Sequence, residues 1–244
     1  MPLTPNGAPP ATLPASWQAV IDFDGTISRE DTTDRVLQRF AEPGWEDIEA
    51  AWQAGAIGSR TCMERQVALL RASPDVLDTF AAGLEIDWGF PAFALLCRRH
   101  DIPLTIVSDG LDRTIRTVMK RAGLGHIPVM ANRLEPAGGD RWRLTSPHAA
   151  PEGACASGTC KCRIAAGLPR PLTLLVGDGR SDFCVAGEAD LVFAKGALAT
   201  HCRQAGIAHH AITDFADAAT RLDAILAGAP LPAATHHLED KING

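Results

Sequence analysis

Three short apolar runs, each halted by an aspartate–glycine string, constrain this chain more than any other feature. Ala19–Phe23 runs into Asp24-Gly25-Thr26, Leu104–Val107 into Ser108-Asp109-Gly110, and Leu172–Val176 into Gly177-Asp178-Gly179-Arg180-Ser181-Asp182. Runs this short, apolar throughout and bounded by turn residues, read as strands buried on both faces. Such strands belong to parallel sheets, whose crossover helices cover both sides. Helical patterns at Phe90–Arg99, Asp112–Ala122, Asp182–Gly187 and Asp214–Leu226 supply the crossovers, and Gly123 follows the second of them as a C-terminal stop. Leu191–Phe193 reads as a further strand, and Val129–Leu134 with Arg141–Thr145 flank Gly138-Gly139 as a hairpin. The expected fold is α/β, a Rossmann-like, mostly parallel sheet flanked by helices.

From Asp31 to about Gly83 the period is helical throughout, with no convincing strand. Val36, Leu37 and Phe40 form one apolar face, Trp45, Ile48 and Trp52 another, and Cys62, Met63, Val67 and Leu70 a third. The expected organisation is a small helical cap at 31–83, inserted after the first strand into a core of 17–30 and 84–228. A proline-rich arm at 1–16 and a loose tail at 229–244 flank it. Open parallel sheets bind ligands at the carboxyl ends of their strands, where this insert begins.

Composition excludes several classes. Lys+Arg 23 against Asp+Glu 29 gives a net charge of −6, so no basic face is implied and a nucleic-acid partner is not expected. No apolar run approaches the ~18 residues of a membrane span. The first sixteen residues lack Lys, Arg and an apolar stretch, so no signal peptide is expected. Seven unevenly placed cysteines do not suggest a disulfide framework. The expectation is a cytoplasmic chain with free thiols.

A lone Asp-Gly after a strand is ordinarily a turn. Asp22 is different, because it lies inside Val20-Ile21-Asp22-Phe23. A carboxylate there is costly to bury unless it is paired or bound to a cation. If the three strands are neighbours, Asp22, Asp24, Asp178 and Asp182 converge, and a hard divalent cation resolves their repulsion. Oxygen-only ligation suits Mg²⁺. One carboxylate is then left to attack phosphorus. Ser108, the backbone N–H groups of Asp109 and Gly110, and one lysine would balance the incoming phosphate. Of Lys120, Lys161, Lys195 and Lys241, the best placed is Lys161, which opens a helical run before the third strand; Lys195 is a weaker candidate.

These strings resemble the haloacid dehalogenase superfamily of aspartyl-nucleophile phosphatases. Asp22-Phe23-Asp24-Gly25-Thr26 is similar to that superfamily's first motif. Ser108, Lys161 and the Gly177–Asp182 string are similar to the second, third and fourth, in the same order, over about residues 17–227. The insert resembles the cap of the phosphoserine-phosphatase-like branch. Within that branch, Asp22–Asp31, Phe40–Trp45, Val107–Leu111 and the cysteine-rich stretch before Lys161 most resemble the 2-hydroxy-3-keto-5-methylthiopentenyl-1-phosphate phosphatases of methionine salvage. Cys155-x4-Cys160-Lys161 and the Gly177–Cys184 string also resemble the phosphoethanolamine/phosphocholine phosphatases. The resemblance implies Asp22 as nucleophile and Asp24 as general acid and base. It implies Mg²⁺ on Asp22, the Asp24 carbonyl and Asp178, with Asp182 orienting that site. Ser108 and Lys161 would hold the phosphoryl oxygens. The implied partner is a small phosphorylated metabolite. A phosphate-metabolite binding protein with a silent site is the alternative from another class.

Other residues have bland and sharp readings side by side. Asp31, Asp34 and Asp109 are caps or turn formers in the bland one, and contacts to the leaving group in the sharp one. Cys155, Cys160 and Cys162 would need a fourth ligand to hold zinc, and C-x4-C-x-C is not a usual spacing, so packed or exposed loop thiols are expected. Cys62, Cys97, Cys184 and Cys202 are expected as small apolar fillers. Trp45, Trp52 and Trp88 are expected to pack the insert.

Overall fold

The computed structural model describes residues 17–151, 155–169 and 172–232. The expected arm and the end of the expected tail lie outside the described residues. Seven strands form one sheet in the order β4-β3-β2-β1-β5-β6-β7. They are β1 (Trp17–Ile21), β2 (Leu104–Leu111), β3 (Val129–Gly138), β4 (Arg141–Thr145), β5 (Leu172–Gly177), β6 (Leu191–Ala194) and β7 (His210–Ala211). β1 pairs in parallel with β2 on one side and β5 on the other, and only β3–β4 is antiparallel.

β1 is buried along its whole length, which is why it reads as an unbroken apolar run. Its residues alternate between two cores. Trp17, Ala19 and Ile21 join Phe90, Phe93, Phe193 and Phe215 on one face, and Val20 joins Val107, Leu175, Val192 and Leu198 on the other. The first face is covered by α5 (Phe90–Arg99), α6 (Asp112–Arg121) and α10 (Phe215–Leu226). The second is covered by α7 (Lys161–Gly167), α8 (Phe183–Ala186) and α9 (Gly196–Ala205). The chain runs outward from β1 to β2, β3 and β4, then returns to place β5 on β1's other side. The carboxyl end of β1 is thus the topological switch point of the sheet.

Between β1 and β2 lie α1 (Thr32–Phe40), α2 (Trp45–Gln53), α3 (Ser59–Ala68) and α4 (Pro74–Ala81), ahead of α5. Val36, Leu37, Met63, Val67, Leu70 and Leu77 pack with Leu111, Leu134 and Trp142, so the hairpin β3–β4 supplies one wall of the insert's core. The Trp142 indole N–H donates to the Ala72 carbonyl at 2.9 Å, and Arg113 on α6 grips Asp78 on α4 with two 2.7 Å bonds.

Some expectations change. β2 runs four residues beyond Val107, carrying Ser108, Asp109 and Gly110 within the strand. α9 and β7 have no counterpart in the sequence reading. Trp88 is 70% exposed rather than packed, and Cys184 is exposed rather than a filler, whereas Cys62, Cys97 and Cys202 are buried. No helix among the described residues is long and apolar enough to cross a membrane.

Candidate active site

The three aspartate–glycine strings meet at the carboxyl ends of β1, β2 and β5. Asp22 follows β1 directly, and its backbone N–H donates to Val176 on β5. The chain then turns sharply at Gly25, which has φ +70°. A side chain at Gly25 would collide with the Asp178 carboxylate, and one at Gly110 with that of Asp24. Both glycines therefore let backbone approach the acidic groups. Thr26 Oγ1 donates to Asp178 Oδ1 at 3.1 Å, fixing the turn after β1 to the end of β5.

Carboxylate oxygens of Asp22, Asp178 and Asp182 all lie within 4.8 Å of one another. Lys161, only 1% exposed, stands among them. Its ammonium donates to Asp22 Oδ1 at 2.6 Å, to Asp182 Oδ1 at 2.5 Å and to Ser181 Oγ at 3.0 Å. Burial works against that charge, yet Asp182 and Asp22 outweigh it and hold the ammonium above its usual range. Asp182 Oδ2 accepts from the backbone N–H groups of Asp178 and Gly179, both at 3.2 Å. Asp182 is therefore anchored through both oxygens and orients Lys161.

Burial pushes Asp22 well above the usual carboxylate range; Asp182 and Asp178 repel it further, while Lys161 pulls it back. Asp178 is raised by burial and by Asp182. Three carboxylates against one ammonium leave negative charge uncompensated, and their donor set is all hard oxygen. The residues fit a divalent cation such as Mg²⁺.

Asp24 sits apart from that triad. Its Oδ1 accepts from the Thr32 hydroxyl at 2.5 Å and the Thr32 N–H at 2.7 Å, and its Oδ2 lies 3.4 Å from Ser108 Oγ. Burial and the Asp31 charge push Asp24 up to about 7, against the pull of Thr32. Ser108 Oγ also accepts from the Gly110 N–H at 3.0 Å.

A cavity of about 700 Å³ opens over these groups, and Asp22, Asp24, Ser108 and Asp178 line it. The insert contributes Asp31, Asp34, Glu49, Trp52 and Ser59 to its wall, and the cysteine loop contributes Cys155 to Ser157. Asp31 caps α1, accepting from the Asp34 N–H at 2.9 Å. Asp109 also lines the cavity, but both of its carboxylate oxygens are engaged. Ser59 Oγ donates at 2.6 Å, Asn132 Nδ2 at 3.1 Å and the Thr159 N–H at 2.9 Å.

Three contributors escape a reading of the sequence. Thr32, Glu49 and Ser59 reach the site only through the placement of the insert. Lys195, ranked below Lys161 on sequence, donates to the Gly25 carbonyl at 3.2 Å and steadies the turn after β1.

The family model for haloacid dehalogenase-like hydrolases matches residues 19–187, which include all of the strings that converge here. The chain belongs to the haloacid dehalogenase-like hydrolase family. It is 29% identical over 211 residues to the 2-hydroxy-3-keto-5-methylthiopentenyl-1-phosphate phosphatase of Geobacillus kaustophilus, covering 80% of this chain and 90% of that one. It is 25% identical over 223 residues to a polyol phosphate phosphatase of Saccharomyces cerevisiae, covering 85% and 92%. Among solved structures, the phosphoserine phosphatase from T. onnurineus superposes with a TM-score of 0.61 at 16% identity, covering 88% of this chain and 98% of that one. A substrate-bound phosphoserine phosphatase gives 0.58 at 19%, covering 76% and 90%. The structural likenesses speak for the α/β fold.

Proposed function

We propose that this hydrolase is a phosphoric monoester hydrolase that releases phosphate from a small metabolite through a phosphorylated Asp22. The carrying observation is the pair Asp22 and Asp24 at the end of the central strand, both lining one cavity. Asp22 lies where the triad gathers, and Asp24 has a separate environment that lets it hold a proton near neutral pH. In this reading Asp22 attacks phosphorus, Asp24 protonates the leaving alkoxide, and Asp24 then takes a proton from the water that hydrolyses the intermediate. Ser108, Lys161 and the backbone N–H of Asp109 serve the phosphoryl oxygens, while the Gly110 N–H holds Ser108 Oγ in place. Lys161 also keeps Asp22 aligned and favours its ionised form against the effect of burial.

The oxygens that would hold Mg²⁺ are those of Asp22, Asp178 and the Asp24 backbone carbonyl, with Asp182 fixing their surroundings. When bound, the ion supplies charge neutralisation at the phosphoryl group. Uncatalysed phosphomonoester hydrolysis is so slow that the whole ensemble must lower the barrier by on the order of 20 kcal/mol. Positioning and electrostatics carry most of that, since one acid contributes only ~10²–10⁴ in rate.

Residues 31–83 act as a cap over a core of 17–30 and 84–228, with 1–16 and 229–244 outside that unit. The first substrate to test is 2-hydroxy-3-keto-5-methylthiopentenyl-1-phosphate, named for the Geobacillus relative. The acidic wall of Asp31, Asp34 and Glu49 favours a second reading, phosphocholine or phosphoethanolamine. The test is a phosphatase screen over phosphorylated metabolites, with and without Mg²⁺, beside Asp22→Asn. Wild type is expected to turn over and lose activity in excess EDTA, regaining it with Mg²⁺. The folded Asp22→Asn variant is expected to lose at least about 10³-fold in kcat/KM. Phosphate affinity with no turnover by wild type would instead mark a silent binding protein.

A further inference from the structure

We infer that Cys162 and Cys184 are a dithiol that closes into a reversible disulfide, bracing the two helices that follow Lys161 and Asp182. The two Sγ atoms lie 2.8 Å apart. Their proximity has a cause. Lys161 and Asp182 are joined by a 2.5 Å ion pair, and α7 and α8 start at or just after those residues. The side chains one residue beyond Lys161 and two beyond Asp182 are thereby brought together. Cys184 is exposed on the cavity rim, so a small oxidant can reach it, and Cys162 is only half-buried.

The neighbouring thiols sharpen the proposal. Cys155 and Cys160 lie close enough to the pair to interact with it electrostatically, so four sulfurs gather at this corner. A zinc cage would need them to close around one point. Among the described residues the one group of three or more metal-capable side chains that closes within 4.8 Å is the carboxylate triad, and no cysteine belongs to it. Cys155 Sγ is 2.9 Å from Ser157 Oγ and also interacts with the Cys160 thiol. Cys62, Cys97 and Cys202 are buried. The arrangement favours a two-sulfur bond over a four-sulfur metal site.

The oxidant is a small-molecule disulfide, such as oxidised glutathione. The Cys184 sulfur, having lost its proton to solvent, attacks one sulfur of the oxidant and expels the first glutathione thiolate. The Cys162 sulfur then attacks Cys184 and expels the second. Two S–H bonds are lost and one S–S bond forms between the helices. Two electrons and two protons end on two molecules of reduced glutathione, and excess thiol reverses the sequence.

The experiment incubates the full-length protein with oxidised glutathione, removes the reagent, and maps the peptides by mass without reduction. The expected result is a linked pair of peptides carrying Cys162 and Cys184, lighter by two hydrogens, that separates on reduction. The oxidised protein should melt higher than the reduced one by roughly 5–10 °C, because the bond closes a loop of about twenty residues. Cys162→Ser and Cys184→Ser, each tested against its own reduced form, should show neither the link nor the upward shift. Bonds at Cys155 or Cys160 in place of this pair, only glutathione adducts, or a link with no rise in melting temperature would overturn the proposal. So would stoichiometric zinc in protein purified without chelator, with all four thiols shielded from alkylation. None of these readouts depends on phosphatase activity.

Discussion

Asp22 and Asp24 are two residues apart, yet the structure gives them different neighbours, and chemistry follows from that difference. Asp22 faces Lys161 and two other carboxylates, whereas Asp24 is held by Thr32 at the start of the insert. Asp22 was legible in the sequence because a carboxylate inside an apolar run needs a reason. Thr32 was not, since nothing local says that an insert's first helical residue will fold back onto the strand it follows. Its two hydrogen bonds favour the ionised form of Asp24, whose carboxyl burial and Asp31 together push up to about 7. The acid role needs the protonated form, so activity on an alkyl phosphate with a poor leaving group should fall as pH rises through about 7. Thr32→Val removes the hydroxyl donor and destabilises the ionised form. The alkaline limb of the kcat profile should therefore move up, by roughly one pH unit. A limb that stays in place or moves down would separate Asp24 from that ionisation.

At the scale of elements, the strands that bear the site were readable because each is short, apolar and stopped by turn residues. α9 and β7 escaped because a ten-residue helix with a weak apolar stripe and a two-residue strand leave little periodic signal. The junction between elements was the harder part. Asp109 had two readings in the sequence, a turn former and a contact to the leaving group, and its carboxylate ties β2 to α3 through Ser59, to β3 through Asn132, and to the loop before α7 through Thr159. Asp109→Ala leaves those donors without their acceptor, at about 1–3 kcal/mol for each one buried. The expected outcome is a lower melting temperature and a similar loss of kcat/KM for every substrate; a loss confined to one substrate would return Asp109 to a contact role. Asp34, in the first turn of α1, makes a second test. Burial, Asp31 and Glu49 push it up to about 6. A carboxyl that binds its proton more tightly when folded favours the native state at low pH and penalises it once ionised. Asp34→Asn should therefore melt higher than wild type above about pH 6, and the gain should vanish as pH falls toward 4. A gain independent of pH would mean that its charge is not the cause.

At the scale of the whole molecule, core and insert bring carboxylates together around one cavity. The floor of the cavity carries Asp22, Asp24 and Asp178, and the insert hangs Asp31, Asp34 and Glu49 opposite them. Lys161 and a divalent cation would answer the floor. Arg180 is the one Lys or Arg among the residues lining the cavity, and its guanidinium lies 5.9 Å from the Trp52 ring. In the proposed reading the core motifs would touch only what every phosphomonoester presents, and discrimination would rest on this wall. Asp31 and Asp34 were candidates in the sequence, but Glu49 was not, because only the fold of the insert brings its carboxylate to the same cavity. Like charges about 6 Å apart near a protein surface cost each other about 3 kcal/mol. A substrate with a second anionic group should be rejected, and one with an ammonium or hydroxyls accepted. Glu49→Gln tests this with little change of shape, since the amide oxygen can still accept from Gln66, which donates to Glu49 at 3.1 Å. The variant should lower kcat/KM for phosphocholine or phosphoethanolamine by about tenfold and raise it for a bisphosphate. An uncharged aryl phosphate should change less than about threefold. Raising salt should shrink the contrast, because the wall is open to solvent and screening reaches it. Equal changes on all three substrates would place Glu49 in the folding of the insert, and the acidic wall would not be the source of selectivity.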